Sequence, residues 1–393
     1  MLDITPSKYE REHLELKIKE FLSKFKDLKN IKIIIGGSYA KNTWLSNNRD
    51  VDVFFKFEYK KFVDKDISSL LKDILLKKYT NVETVHGSRD YYHIIIDDVL
   101  FEVVPVLDIK KTSEAKNIMD VSPMHVDYIK KKLNSKMCDE VRKLKLFCKA
   151  NDIYGAESYV RGFSGYVLEV LISYYKSIEK LMKSASEWKD KVVIDPAKLY
   201  KKNQALILLN QSKISSLILI DPVQKDRNAA AALSQENFLK FVNLAKQYDG
   251  SERFFVKKEI DVKNLKDYIV IKVEALNGKE DIVYSKLFAL FERVKNEFIF
   301  SDFPVSNFGW KFDNGIYFWF KSSLIEKTKK HYGPSLDMIE HVKDFKKKHK
   351  NTKVENGRVY AVVRRKFSDP ELFIKYLIKQ KWFKEKVKNA KLV

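Results

Sequence analysis

The chain has 393 residues, 45% of them hydrophobic, enough for two or three domains with sizeable cores. Lysine and arginine number 75 against 53 aspartate and glutamate, a net charge of +22, and a surplus of that size points to a polyanionic partner rather than a small neutral substrate. No apolar run approaches the roughly 20 residues that cross a bilayer, and Cys138 and Cys148 are the only cysteines, which excludes a disulfide framework and a cysteine zinc cluster and makes a soluble, cytoplasmic protein the expectation.

In chain order, Thr5 and Pro6 read as the cap and first residue of a helix whose apolar face runs through Leu14, Ile18, Phe21, Leu22, Phe25 and Leu28. A strand from Ile31 to Ile35, a turn at Gly36-Gly37-Ser38 and a second strand from Asp50 to Phe57 follow. Ile67, Leu70, Leu71, Ile74 and Leu75 mark another helix, and VETV, YYHIII and LFEVVPVL read as short strands. Residues 1–125 are therefore expected to form a sheet flanked by helices. From about Val126 to Lys149, and again from Phe163 to Met182, the pattern is helical, with YGAESYVRGFSG as the connection. A further helix opens at Ser234, where Leu233 and Phe238 can staple the cap, so residues 126–250 are expected to be mostly helical. Beyond Asp249-Gly250 the strands DYIVIKV, IYFWF and RVYAVVRRKF alternate with helices and end in a basic helix from Glu371 to Ala390. Residues 251–393 thus form a third portion, and the fold class is α+β, multidomain.

The chemistry is concentrated in the first portion. In a strand, residues i and i+2 face the same way, so Asp50 and Asp52 stand side by side while Val51 and Val53 point into the core. Two adjacent anions repel, and apolar surroundings aggravate the repulsion, so something positive is expected between them. Glu102, in LFEVVPV, shares a face with Leu100 and Val104, and a carboxylate amid Val, Phe and Pro is not placed there for solubility. The seven histidines are scattered without an HExxH pair, so any metal must be held by oxygen. Three converging carboxylates suit two magnesium ions, one activating an attacking hydroxyl and one holding a triphosphate. Gly36 and Gly37 let the backbone turn sharply and expose N–H groups, and Ser38 adds a hydroxyl, so the turn can cradle a phosphate. No GxxxxGK[ST] loop follows.

GGSYAKNTWLSNNRDVDVFFKF closely resembles the GS-x₉₋₁₃-D-x-D signature of the DNA polymerase beta nucleotidyltransferase superfamily. KLFCKANDIYGAESYVRGFSGYVLEVLI, DPVQKDRNAAAALS and HYGPSLDMIEHVKDF resemble the archaeal, class I CCA-adding enzymes, so the likeness spans nearly the whole chain. It implies a tRNA nucleotidyltransferase that builds the 3′ CCA end from CTP and ATP without a nucleic acid template. It further implies that residues 1–125 are a catalytic head, residues 126–250 a helical nucleotide-binding domain, and residues 251–393 a body and tail that dock the tRNA acceptor stem and TΨC region.

Carried over by position, Gly37 and Ser38 hold the triphosphate, Asp50 and Asp52 bind magnesium, and Glu102 stands beside the attacking tRNA hydroxyl. The family usually has Asp at the Glu102 position, one methylene shorter, and often Arg-Gly where this chain has Lys41-Asn42. Lysine keeps the charge there and loses the planar fork. His125 matches a histidine near the nucleotide, and Lys145 and Tyr154 match residues that grip the triphosphate. Arg161, beside GFSG, is a candidate nucleotide contact, and Arg227 is the candidate base selector. A homodimer is left open. Two rivals share these features: a poly(A) polymerase with the same head, and a basic RNA-binding protein with a vestigial metal site. Against the second, a dead site has no reason to keep two repelling anions.

Overall fold

The computed structural model describes residues 4–201, 204–257, 261–278, 280–312 and 315–393. The chain divides into two compact units, residues 1–258 and 259–393.

The first unit begins with α1 (Lys8–Ser23), capped by Ser7, two residues later than Thr5-Pro6 suggest. Ser7 accepts from the Glu10 N–H, and Glu10 returns a bond to the Ser7 N–H, a reciprocal capping box. The helix stops at Ser23, so Phe25, 5% exposed, reaches the core from the following turn. Then come β1 (Ile31–Ile35), the four-residue α2 (Gly37–Ala40), β2 (Asp50–Glu58), α3 (Tyr59–Phe62), α4 (Ile67–Leu76), β3 (Val82–Val85), β4 (Tyr91–Ile96) and β5 (Val99–Asp108). These strands form one five-stranded sheet in the order β1-β2-β5-β4-β3. β2 and β5 run parallel, and the other pairs are antiparallel.

The two faces of the sheet have different fates. Val51, Val53, Phe55 and Phe57 of β2 and Phe101 and Val103 of β5 are fully buried, packed with Leu14, Ile18 and Phe21 of α1 and Leu71 and Leu75 of α4. The opposite face carries Asp50, Asp52 and Phe54 on β2 and Glu102, Val104 and Val106 on β5. Its apolar end is roofed by Val126 of α5 (Ser122–Lys132), and the carboxylates occupy the other end.

The helix expected from Val126 to Lys149 is broken in two. Leu133 is extended, and Asn134 caps the Met137 N–H at 2.9 Å, so α6 (Ser135–Ala150) starts afresh. The segment from Phe163 to Met182 is likewise divided into α7 (Gly165–Tyr175) and α8 (Ile178–Ala185), because Lys176 takes a left-handed φ of 75° and Ser177 caps the next helix. The unit continues through β6 (Val192–Ile194), α9 (Gln204–Leu208), β7 (Leu217–Leu219) and α10 (Gln235–Gln247). The parallel β6–β7 pair is too short for its periodicity to mark it. α10 opens on Ser234 as expected, with Leu233 and Phe238 both buried. Its Phe241 packs with Phe147 of α6 and Phe163 in a separate helical core.

The second unit comprises β8 (Ile269–Ala275), α11 (Glu280–Phe300), β9 (Val305–Lys311), β10 (Ile316–Ser322), β11 (Thr328–Ser335), α12 (Ile339–Lys348), β12 (Lys353–Glu355), β13 (Arg358–Arg364), α13 (Pro370–Leu377), α14 (Lys381–Lys384) and β14 (Val387–Leu392). The basic helix expected from Glu371 to Ala390 is wrong beyond Leu377. The chain instead turns through α14 and lays β14 antiparallel on β8, completing the sheet order β14-β8-β10-β9. Pairing the edge of β8 overrides the helix-forming character of the lysines. Phe318, Trp319 and Phe320 are buried, so the aromatic stripe of IYFWF is core. Arg293 lies 3.9 Å from the centre of the Trp382 ring, and Lys366 lies 4.1 Å from that of Tyr376.

Candidate active site

Alternation along β2 and β5 builds the carboxylate face. In the parallel register Asp52 lies opposite Glu102 and Asp50 opposite Leu100. Burial first, and Glu102 second, push the Asp52 carboxyl up to about 6, and the same two causes in the same order raise Asp50. The expected repulsion is therefore present, relieved in part by Lys41 near Asp52 and by Lys149 and His93 near Asp50. His93, opposite Glu102 on β4, brings Nε2 to 3.4 Å from Glu102 Oε2. Among the described residues no three His, Cys, Asp or Glu side chains close around a common point. The donor set nonetheless suits a hard divalent cation: oxygen ligands only, on one face, with Glu102 close enough to raise the pKa of both aspartates.

The two glycines have separate reasons. A Cβ on Gly36 would lie 2.3 Å from the Phe54 ring, and one on Gly37, whose φ is 57°, would lie 1.5 Å from Asp52 Oδ2. Gly37 thus lets the first turn of α2 approach the carboxylate. The Gly36 N–H donates to the Asp52 carbonyl at 2.8 Å, and the Thr43 N–H to the Ser38 carbonyl at 2.9 Å, which folds residues 36–43 tightly over the end of β2.

Across from the carboxylates stands a buried ionic network. Glu169, fully buried on α7, accepts from Lys41 Nζ and from the Thr43 hydroxyl, each at 2.6 Å. Lys145 Nζ donates to the Thr43 carbonyl at 2.9 Å and lies 3.8 Å from Glu169. Burial pushes the Lys145 ammonium down to about 8, with Glu169 opposing the shift. Tyr154 lies beside it, since a Cβ on Gly165 would meet the Tyr154 hydroxyl at 3.2 Å and Lys145 Cε at 3.6 Å. Burial holds that phenol well above its usual value, and Asp52 also contributes. Arg142, 1% exposed, donates to the carbonyls of Asn42 and Trp44 at 2.6 and 2.9 Å. Residues 41–44 are therefore fastened to α6 and α7.

A second cluster surrounds Asp221, also fully buried. Arg227 Nη1 donates to it at 2.5 Å, His125 Nε2 of α5 lies 2.9 Å away, and the Tyr166 hydroxyl of α7 donates at 3.0 Å. The Asp221 carboxyl is held well below the usual range by His125 and Arg227, against the effect of burial, which is the largest single influence. Arg161 stands in the 155–164 loop with a φ of 53°, and its carbonyl accepts from the Ser234 N–H at 2.9 Å.

The structure thus brings Asp50, Asp52, Glu102 and Gly37 together, joins Lys41, Lys145 and Tyr154 opposite them, and gathers His125 and Arg227 on Asp221. α7 links the last two groups through Gly165, Tyr166 and Glu169. Sequence reasoning missed His93, Thr43, Arg142, Glu169, Tyr166 and Asp221. Glu169 had a signal: it is the one charge in the apolar run GYVLEVLI, and such a residue is buried only with a partner.

Residues 16–145 match the family described as nucleotidyltransferase domain, residues 139–256 that described as tRNA nucleotidyltransferase, second domain, and residues 266–390 that described as CCA-adding enzyme, C-terminal domain. A CCA-adding enzyme of Nanoarchaeum equitans is 34% identical over 340 residues, covering 86% of this chain and 84% of that protein. The chain belongs to the CCA-adding enzyme family. The CCA-adding enzyme of Sulfurisphaera tokodaii is 31% identical over 391 residues, covering 96% of this chain and 91% of that one, and that of Archaeoglobus fulgidus is 30% identical over 383 residues. The fold alone extends further. The solved structure of a cytoplasmic RNA terminal U-transferase superposes with a TM-score of 0.50 at 12% identity, covering 65% of this chain and 95% of that one. This member of the family is a multidomain α+β protein with a polymerase-beta-type nucleotidyltransferase head, and no helix among its described residues is long and apolar enough to cross a membrane.

Proposed function

We propose that this chain adds C, C and A in turn to the 3′ end of tRNA, using CTP and ATP, no nucleic acid template and two magnesium ions. The observation that carries the reading is the pairing of three carboxylates on one sheet face with Lys41 and Lys145 opposite. That arrangement has anions for metals and cations for a triphosphate, and it sits in a chain that matches CCA-adding enzymes almost from end to end.

In this reading the tRNA 3′ hydroxyl attacks the α-phosphorus of the bound nucleotide, the new P–O bond forms as the bond to pyrophosphate breaks, and the hydroxyl proton leaves toward Glu102 or solvent. Asp50, Asp52 and Glu102 would hold the magnesium, which when bound would activate the attacking hydroxyl and neutralise charge on the triphosphate. Gly37 and Ser38 line the phosphates with backbone N–H groups. Lys41, Lys145 and Tyr154 draw the triphosphate toward α6 and α7, so that pyrophosphate departs into a cationic wall. Arg227 and His125 read the base, and Arg161 borders the nucleotide from the 155–164 loop. Residues 1–125, 126–250 and 251–393 act as catalytic head, nucleotide-binding domain and tRNA-docking body and tail, the last engaging the acceptor stem and TΨC region through its lysines and arginines. The reading is compatible with a monomer and with a homodimer, and the reaction takes place in the cytoplasm.

The test offers tRNAs ending at the discriminator base, at C and at CC, with CTP and ATP singly and together. Addition of C, C and A in order supports the reading. A run of A on any RNA from ATP alone replaces it with a poly(A) polymerase.

A further inference from the structure

A guanidinium can read a base only if its fork is aimed, because a freely rotating arginine presents donors in every direction and discriminates little. Arg227 is aimed by one partner. Its Nη1 donates to Asp221 Oδ2 at 2.5 Å, and among the described residues neither Nε nor Nη2 makes a hydrogen bond, while the side chain remains 32% exposed. One corner of the fork is thus tied, and the rest is presented outward.

Asp221 is itself held from every side. Oδ1 accepts from the Tyr166 hydroxyl at 3.0 Å, the Val223 N–H at 2.9 Å and the Gln224 N–H at 3.3 Å, and Oδ2 accepts from Arg227 Nη1 and lies 2.9 Å from His125 Nε2. The main chain closes the same loop: the Asp221 N–H donates to the Arg227 carbonyl, and the Arg227 N–H to the Gln224 carbonyl, each at 3.0 Å. Val223 packs against the core of the catalytic sheet. The carboxylate therefore joins the arginine's own loop to α5 through His125 and to α7 through Tyr166.

We propose that Asp221 is a positioning residue for nucleotide selection, fixing Arg227 and His125 together in the orientation that favours cytosine and adenine over uracil and guanine. The inference rests on the reading of Arg227 as the base selector. A merely structural carboxylate would affect stability and the use of all four nucleotides alike. A positioning carboxylate changes their ratio.

The experiment measures kcat/KM for CTP, ATP and UTP on tRNA lacking its CCA end, for the full chain and for Asp221→Asn, Tyr166→Phe and Arg227→Ala, with tRNA affinity and melting temperature alongside. Asp221→Asn keeps the volume and removes the anion. We expect its CTP-over-UTP preference to narrow by about tenfold or more, with tRNA affinity unchanged. Tyr166→Phe removes one donor from the carboxylate without changing charge, and we expect it to narrow the preference about threefold in the same direction. If Arg227→Ala narrows the preference while Asp221→Asn lowers the use of every nucleotide in equal proportion, Asp221 is structural and the inference fails alone. If Arg227→Ala itself leaves the preference intact, the selector reading fails and the inference with it. Should Asp221→Asn not fold, the Tyr166→Phe ratio decides: a narrowed preference supports the inference and an unchanged one refutes it.

Discussion

Replacing Gly37 by alanine tests the site at its tightest point. The added methyl would lie 1.5 Å from Asp52 Oδ2, where ordinary contact begins at 3.4 Å, so the carboxylate must retreat by about 1.9 Å or the turn must open by as much. The backbone φ of 57° adds a cost of about 1 kcal/mol for any residue with a Cβ, and the total loss of stability should be about 1–3 kcal/mol. Catalysis should suffer far more, because a 1 Å misplacement at a reacting centre costs roughly 100-fold, and Asp52 is moved by more than that. Single-turnover addition of labelled CMP to tRNA lacking its CCA end, at saturating CTP and magnesium, should therefore slow by about 100-fold or more, while filter binding shows tRNA affinity within a few-fold of the parent. Gly36→Ala is the contrast, since its methyl meets the Phe54 ring at 2.3 Å, so its cost should appear first in the melting temperature. A folded Gly37→Ala enzyme with a rate within about threefold of the parent would refute the placement of Asp52 at the reacting centre.

Asp50→Ala and Asp52→Ala should each abolish addition without weakening tRNA binding more than a few-fold; normal turnover at saturating magnesium would remove them from the chemistry. Glu169→Gln leaves the buried Lys145 and the partly buried Lys41 without their carboxylate, so denaturant unfolding should show a loss of about 3 kcal/mol and nucleotide KM should rise more than kcat falls; a loss under about 1 kcal/mol would mean that the network is slack. Lys145 titrates near 8 in the folded chain against an ordinary 10.5. Between those values the unfolded chain keeps a proton that the folded one sheds, so this group's contribution to stability rises with pH while the charge proposed to hold the triphosphate is lost. Nucleotide KM should accordingly climb above about pH 8 and be flat in Lys145→Met, and an identical pH profile in the variant would assign the titration elsewhere. Affinity for tRNA should fall by about tenfold or more between about 50 and 200 mM salt; a flat response would detach the +22 charge from RNA binding.

The parts of the site that were legible in the sequence are those written in local periodicity. The alternation of Asp50, Val51, Asp52 and Val53 identifies the strand, its buried face and the carboxylate pair, and the glycine turn fixes where β1 ends. Ser234 announces α10 because a cap acts within three residues. What stayed hidden depends on partners distant in the chain. Thr43 and Glu169 meet across the fold, Arg142 spends its donors on the carbonyls of Asn42 and Trp44, and Asp221 is chosen by His125 and Tyr166 from two other helices. β14 was misread for the same reason: its lysines suit a helix, and only the edge of β8 makes them a strand.

The nine-residue parallel register between β2 and β5 also bears on how faithfully the active site is copied from one folding event to the next. Because side chains alternate with a period of two, a slip of a single residue along β2 would turn Asp50 and Asp52 inward among Phe21, Phe101 and Leu71 and move Val51, Val53 and Phe55 out of that core to the carboxylate face. Burying two unpaired carboxylates costs several kcal/mol each, and the displaced apolar surface adds to that. The paired carboxylates thus need no interaction of their own to find their places. They are carried there by the oily face behind them, and they act in turn as its proofreaders, since any misthreaded sheet would have to swallow them.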